Sequence, residues 1–136
     1  MEKHVTSLEL SKKLKELGVP QNAYWCWYTN DGSSTLMHNP EGYRSMEDKT
    51  FDAFLSSELG EKLPNWVFTV KDESNNFYCY ASAETYAEYH RANEDTSPAW
   101  GDDDVIGDIA DTEANARAKM LIYLIEQKLL DVNSLK

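Results

Sequence analysis

The chain has 136 residues, 41% hydrophobic and 12% aromatic, with 13 basic and 24 acidic side chains for a net charge of −11. That length fits a single domain, residues 1–136, with an ordinary core, and the apolar content excludes a disordered chain. The acidity argues against binding to nucleic-acid backbones or anionic membranes, and no apolar run approaches the roughly 20 residues that span a bilayer.

The opening stretch lacks the apolar centre of a signal peptide, so the expected location is cytoplasmic. Cys26 and Cys79 are then expected to be buried thiols rather than a disulfide. Thr6-Ser7-Leu8-Glu9 has the form of a capping box, with Val5 and Leu10 placed for a hydrophobic staple. Leu10, Leu14 and Leu17 make one apolar face, and Glu9/Lys13 and Lys12/Glu16 are four-apart pairs. Gly18 and Pro20 end the pattern, which predicts a helix from about Ser7 to Leu17.

Ala23 to Thr29 is aromatic and strand-like, and Asn30-Asp31-Gly32 is a turn signal, so a strand returning through Thr35 to His38 makes a hairpin. Both alternating sets are bulky: Tyr24, Cys26 and Tyr28 on one side, Trp25 and Trp27 on the other. Either both faces are covered, the preferred reading, or one is an aromatic platform for a sugar or peptide.

Asn39 to Lys49 reads as a loop. Phe51, Phe54, Leu55 and Leu59 then recur at helical spacing, and Pro64 stops the pattern. This predicts a short helix between Thr50 and Leu63, capped by Thr50, Ser56 or Ser57. Trp66 to Lys71 and Phe77 to Ala81 alternate around the turn-rich Asp72–Asn76, a second hairpin. Ser82 to Arg91, with Tyr86 and Tyr89, fits a short helix or an edge strand. Asn93 to Asp111 reads as an acidic loop carrying Trp100, longer than most loops in compact domains. From Ala92 to Ala116 there are eight acids and no Lys or Arg; outside it 13 basic residues face 16 acidic ones, a balance of −3.

The strongest signal is Asp111 to Leu130. Asp111 or Thr112 can cap it, Glu113 suits the first turn and precedes Arg117 by four, and Ala114, Ala118, Leu121, Ile125 and Leu129 form a stripe. Met120, Ile122 and Leu124 widen that stripe, so the helix is expected to be deeply buried. The order of elements implies an α+β fold: a mainly antiparallel sheet of four or five strands in two hairpins, packed by two or three helices, with a long C-terminal helix. Aromatics on both strand faces leave room for a three-layer sandwich.

Chemistry is sparse. Asp102 to Glu113 matches an EF-hand loop in part, with Asp102, Asp104, Asp108 and Glu113 as candidate calcium ligands and Gly107 for the bend. Ile106 and Ala110 fall at positions that need oxygen ligands, and Ser97 to Gly101 breaks the incoming helix, so a solvated acidic loop is the default reading. His4, His38 and His90 are far apart and show no zinc spacing with the cysteines. No phosphate loop, dinucleotide fingerprint or nucleophile elbow occurs. No catalytic residue and no cofactor is assigned. Trp25, Trp27, Trp100, Tyr86 and Tyr89 are the candidate binding-surface residues.

Three pieces, Leu8–Val19, Ala53–Pro64 and Asp111–Leu130, resemble small uncharacterised proteins of bacterial genomes, prophages and other mobile elements. That group is similar to the helix–sheet–helix (ABA) sandwich domains of phage accessory proteins. The middle piece departs from the pattern in having Leu55 where a capping Thr is expected. The resemblance implies an origin in mobile DNA and transfers no catalytic residue. The expectation is a non-enzymatic accessory domain, monomeric or a small homo-oligomer, that binds a protein partner. The alternatives are an acidic decoy that inhibits a nucleic-acid-binding enzyme, and calcium binding at 102–113.

Overall fold

A computed structural model describes residues 2–38, 49–64, 67–81, 105–106 and 109–135. Helix α1 (Leu8–Glu16) starts one residue later than the capping-box reading requires. Ser7 is its cap, and its Oγ accepts from the Leu10 amide at 3.3 Å. Thr6 therefore falls before the cap and is fully buried, with Oγ1 2.7 Å from Ser11 Oγ. A hydrogen-bonded hydroxyl pair thus takes the positions of a hydrophobic staple, and Val5 and Leu10 do not form one. At the other end Gly18 has φ +91°; its amide donates to Lys15 O and that of Val19 to Leu14 O, both at 3.0 Å. These crossed bonds close the helix as its glycine foretells. The four-apart pairs do not form: Lys13 reaches Glu126 at 3.7 Å, and Lys12 lies 5.5 Å over the ring of Phe51.

Strands β1 (Trp25–Asn30) and β2 (Ser33–His38) pair in full register, from Trp25 opposite His38 to Asn30 opposite Ser33. Asp31 (φ 48°) and Gly32 (φ 82°) make the two-residue turn between them, with the two left-handed residues that suit the twist of a hairpin. Strand β3 (Thr50–Ala53) adds antiparallel to the other side of β1, giving the order β2-β1-β3. This corrects the reading of Phe51 as part of a helical face. Only Leu59 of the expected apolar set lies within helix α2 (Ser56–Lys62), where it is fully buried. Leu55 is the cap residue, and none of Thr50, Ser56 or Ser57 serves. Leu55 has no side-chain oxygen to offer; instead Glu58 Oε1 accepts the Leu55 amide at 2.7 Å.

The second hairpin joins β4 (Phe68–Lys71) to β5 (Phe77–Ala81), and Asp72 Oδ1 accepts the amides of Ser74 and Asn76 in the turn. A short strand, β6 (Val105–Ile106), pairs with β5 opposite Ala81 and Tyr80, and Ala110 continues the line through two 2.8 Å bonds with Phe77. Part of the expected acidic loop is therefore an edge of this sheet. Residues 93–104 and 107–108, and the helix-or-strand alternative for 82–91, lie outside the described residues.

Helix α3 (Glu113–Glu126) is capped by Thr112, whose Oγ1 accepts the Asn115 amide at 3.2 Å. Ala114, Ala118, Met120, Leu121 and Leu124 are essentially inaccessible, as the stripe predicts. The helix stops short of Leu130 because Lys128 adopts φ 61° and the Leu129 amide folds back to Leu124 O at 2.9 Å. A side chain in that left-handed position costs roughly 1 kcal/mol that glycine avoids. Lys128→Gly is expected to raise the unfolding free energy by about 1 kcal/mol, read from the urea midpoint at unchanged slope.

The larger core joins Leu14, Phe54, Leu59 and Cys79 to the buried face of α3. A second, smaller one packs Val5 and Ala53 on Trp27, flanked by Leu8, Trp25, Leu36 and Leu55. The fold is α+β with a long C-terminal helix; among the described residues all strand pairing is antiparallel, with two hairpins, and the strands divide between two sheets. Among the described residues no helix is long and apolar enough to cross a membrane.

Candidate functional site

The first hairpin brings three aromatic rings together at its open end, whereas the exposed Phe68 and Tyr123 stand on β4 and α3. Trp25, Trp27 and Thr29 share one face of β1 by strand alternation. Trp27 is 9% exposed and its Nε1 donates to Thr6 O at 2.9 Å, so it belongs to the core and is removed from the binding surface expected of it. The segment Val5–Thr6 straps over it, which a local reading of Ala23–Thr29 does not see. Trp25 is half-buried beside the same cluster. Tyr24 is 59% exposed, and its ring meets His38 edge-on at 4.1 Å. The Trp25 ring meets His38 at 5.6 Å. Tyr24, Trp25 and His38 thus form one aromatic corner at the end of the hairpin.

The main chain leading into that corner is held firmly. Asp52 Oδ2 accepts the Ala23 amide at 2.8 Å and Glu58 Oε2 accepts the Tyr24 amide at 3.1 Å. Glu58 therefore ties the start of α2 to the residue before β1 with its two oxygens. Beside the corner, among the described residues, β2 is an edge strand whose residues are exposed or half-buried. Tyr24 and His38 were not among the expected site residues. Centring the hairpin on Asp31-Gly32 places His38 opposite Trp25, so the turn signal could have found it.

Of the other candidates, Trp100, Tyr86, Tyr89, Asp102, Asp104 and Asp108 lie outside the described residues. Glu113, the last calcium candidate, is committed elsewhere: its Oε1 accepts Ser56 Oγ at 2.7 Å and pairs with Arg117 at 3.2 Å. Val105, Ile106 and Ala110 run extended beside β5, whereas an EF-hand loop must wind round its ion. Among the described residues, no group of three or more His, Cys, Asp or Glu side chains could hold a metal ion.

A second polar group lies inside the fold. Arg117 donates from Nη1 to Ser56 O at 2.7 Å and from Nε to Thr69 Oγ1 at 2.9 Å, joining α3 to α2 and β4. Thr69 Oγ1 sits 3.6 Å from Cys79 Sγ. Burial pushes the Cys79 thiol up, outweighing the bond from Thr69 and the Arg117 charge. Neither cysteine is in a disulfide. With its folded pKa raised, Cys79 contributes nothing to pH dependence while both states keep the thiol protonated. Above roughly pH 8.5 the unfolded chain ionises first and stability falls as pH rises. Cys79→Ser is expected to flatten that alkaline slope in urea titrations between pH 8 and 10.

No protein-family model, curated protein or solved structure matches this chain.

Proposed function

We propose that this protein is a phage- or mobile-element-related accessory domain that binds a protein partner along the open edge of β2 and performs no chemistry of its own. One observation carries the reading. Among the described residues, β2, Ser-Ser-Thr-Leu-Met-His, is a six-residue edge strand, and it has no Lys, Arg, Asp, Glu or Pro in a chain that is 27% charged. It pairs with β1 without a bulge. Edge strands are normally guarded by charge, proline or a bulge, because an unpaired edge recruits other strands. An unguarded edge fits β-strand addition, in which main-chain bonds give affinity and adjacent side chains give selectivity. The corner of Tyr24, Trp25 and His38 supplies an aromatic contact for one side chain of the incoming segment. An acidic decoy would instead need a broad acidic face, and this strand offers none.

Thr35 is exposed at the middle of β2, so Thr35→Lys guards the edge without touching the core. Capture of a partner from host-cell lysate is expected to fall at least tenfold with Thr35→Lys at unchanged circular dichroism. Undiminished capture would remove β2 from the interface. Absence of any captured protein, together with turnover in a substrate screen, would overturn the binding reading itself.

A further inference from the structure

We infer that the segment bound at β2 is acidic, and that its carboxylates sit in a cleft between α1 and the tip of the β1–β2 hairpin. The inference rests on β2 being the docking edge. The cleft, about 410 Å³, is lined by Lys12, Lys49, Thr29, Asp31, Ser33 and Ser34 among others. Both lysines are exposed and, among the described residues, neither is in an ion pair, although the chain carries 24 acids for 13 bases. Lys12 has Glu16 four residues away on its own helix, yet its ammonium lies over Phe51 instead. Lys49 is fixed through its carbonyl, which accepts the Thr29 amide at 2.8 Å and Thr29 Oγ1 at 3.0 Å, leaving its side chain to the cleft.

Asp31 opposes them, but it occupies a left-handed turn position that a short polar side chain tolerates well. Ser33 Oγ donates to Asn30 O, whereas Ser34 Oγ bonds to no group among the described residues. Among the described residues, the lining thus offers two ammoniums and a free hydroxyl against one carboxylate. It also includes the first two residues of β2, so a segment paired along that strand runs directly into it. A net charge of −11 repels an extended polyanion, while one or two carboxylates brought within a Debye length of Lys12 and Lys49 respond to the local sign. Charge complementarity therefore selects an acidic peptide over a nucleic acid.

The test uses the full chain and synthetic peptides of about nine alternating Val and Thr residues, ending in two glutamates or in two lysines, followed by amide chemical-shift titration. The glutamate peptide is expected to shift and protect β2 amides and to bind more tightly than the lysine peptide. Its affinity should drop about tenfold in Lys12→Gln/Lys49→Gln, the scale of two exposed ion pairs. Lys12→Glu/Lys49→Glu should reverse the preference. Equal binding of the two peptides, an unchanged affinity in the glutamine variant, or binding of neither peptide overturns the acidic assignment. So does a shift at Lys12 and Lys49 with inorganic phosphate alone that no peptide reproduces at β2. A glutamate peptide methylated on alternate amides separates the two readings. If it binds as well as the parent and still depends on the lysines, the cleft stands and β2 pairing fails. Self-association through β2 in sedimentation would overturn both.

Discussion

Thr6→Val is expected to lower the unfolding free energy by about 3 kcal/mol and the melting temperature by roughly 10 °C, although it preserves the shape of the side chain. Thr6 is fully buried and every polar atom it has is used. Its amide donates to Phe54 O at 3.0 Å, and its carbonyl accepts Trp27 Nε1 at 2.9 Å and Ser11 Oγ at 3.4 Å. Its Oγ1 accepts the Phe54 amide at 3.1 Å and lies 2.7 Å from Ser11 Oγ. The two hydroxyls, the Thr6 carbonyl and the Phe54 amide thus form a closed set in which either hydroxyl can donate across the short contact. Valine removes the acceptor for a buried amide and the short-range partner of a buried hydroxyl at once. An orphaned buried group costs about 1–3 kcal/mol, more than a bond lost at the surface. Ser11→Ala leaves the Phe54 amide satisfied and is expected to cost about 1 kcal/mol. The two changes should be less than additive, because valine already removes the short hydroxyl contact of Ser11. Additive losses in a double-mutant cycle by urea denaturation would show that the set is not closed.

That set also explains which parts of the fold were legible beforehand. The Ser7 cap, Gly18, the Asp31-Gly32 turn and the stripe of α3 are determined by residues within a few positions of one another, so their chemistry is local. The edges of the two sheets are different. Phe51 becomes a strand residue because it pairs with Trp27, and Ile106 because it pairs with Tyr80. Strands of four and two residues are too short to carry a period of their own. Phe51, Phe54, Leu55 and Leu59 mimic a helix by spacing, and only the ladder with β1 breaks the pattern after Ala53. The site divides in the same way. Aromatic enrichment pointed to Trp25, but the strap of Val5 and Thr6 decides that Trp27 is core, and the hairpin register sets His38 beside Trp25 and the exposed Tyr24. Lys12 and Lys49 come from separate elements and meet only when β3 aligns beside α1, so no spacing rule joins them.

Gly60→Ala should run against the helix scale. A glycine inside a helix is ordinarily destabilising by about 1 kcal/mol relative to alanine, so the change would normally stabilise α2. Here a Cβ at position 60 would stand 2.7 Å from Arg117 Nη1 and 3.4 Å from its Cζ. A solitary arginine tip would swing aside cheaply. This one is held by Ser56 O, Thr69 Oγ1 and the Glu113 carboxylate, on three different elements, so displacing it breaks several bonds. Overpacking of this kind costs typically 1–3 kcal/mol, which exceeds the gain in propensity. The expected net effect is a loss of about 1–2 kcal/mol, with the urea midpoint falling at unchanged slope. Arg117→Ala alone should cost about 2–3 kcal/mol through the bonds it abandons. The decisive measurement is Gly60→Ala placed in the Arg117→Ala background. With the guanidinium gone, the added methyl meets no obstacle and the substitution should become stabilising by roughly 1 kcal/mol. If alanine at position 60 has the same sign in both backgrounds, the glycine is there for some reason other than making room for Arg117.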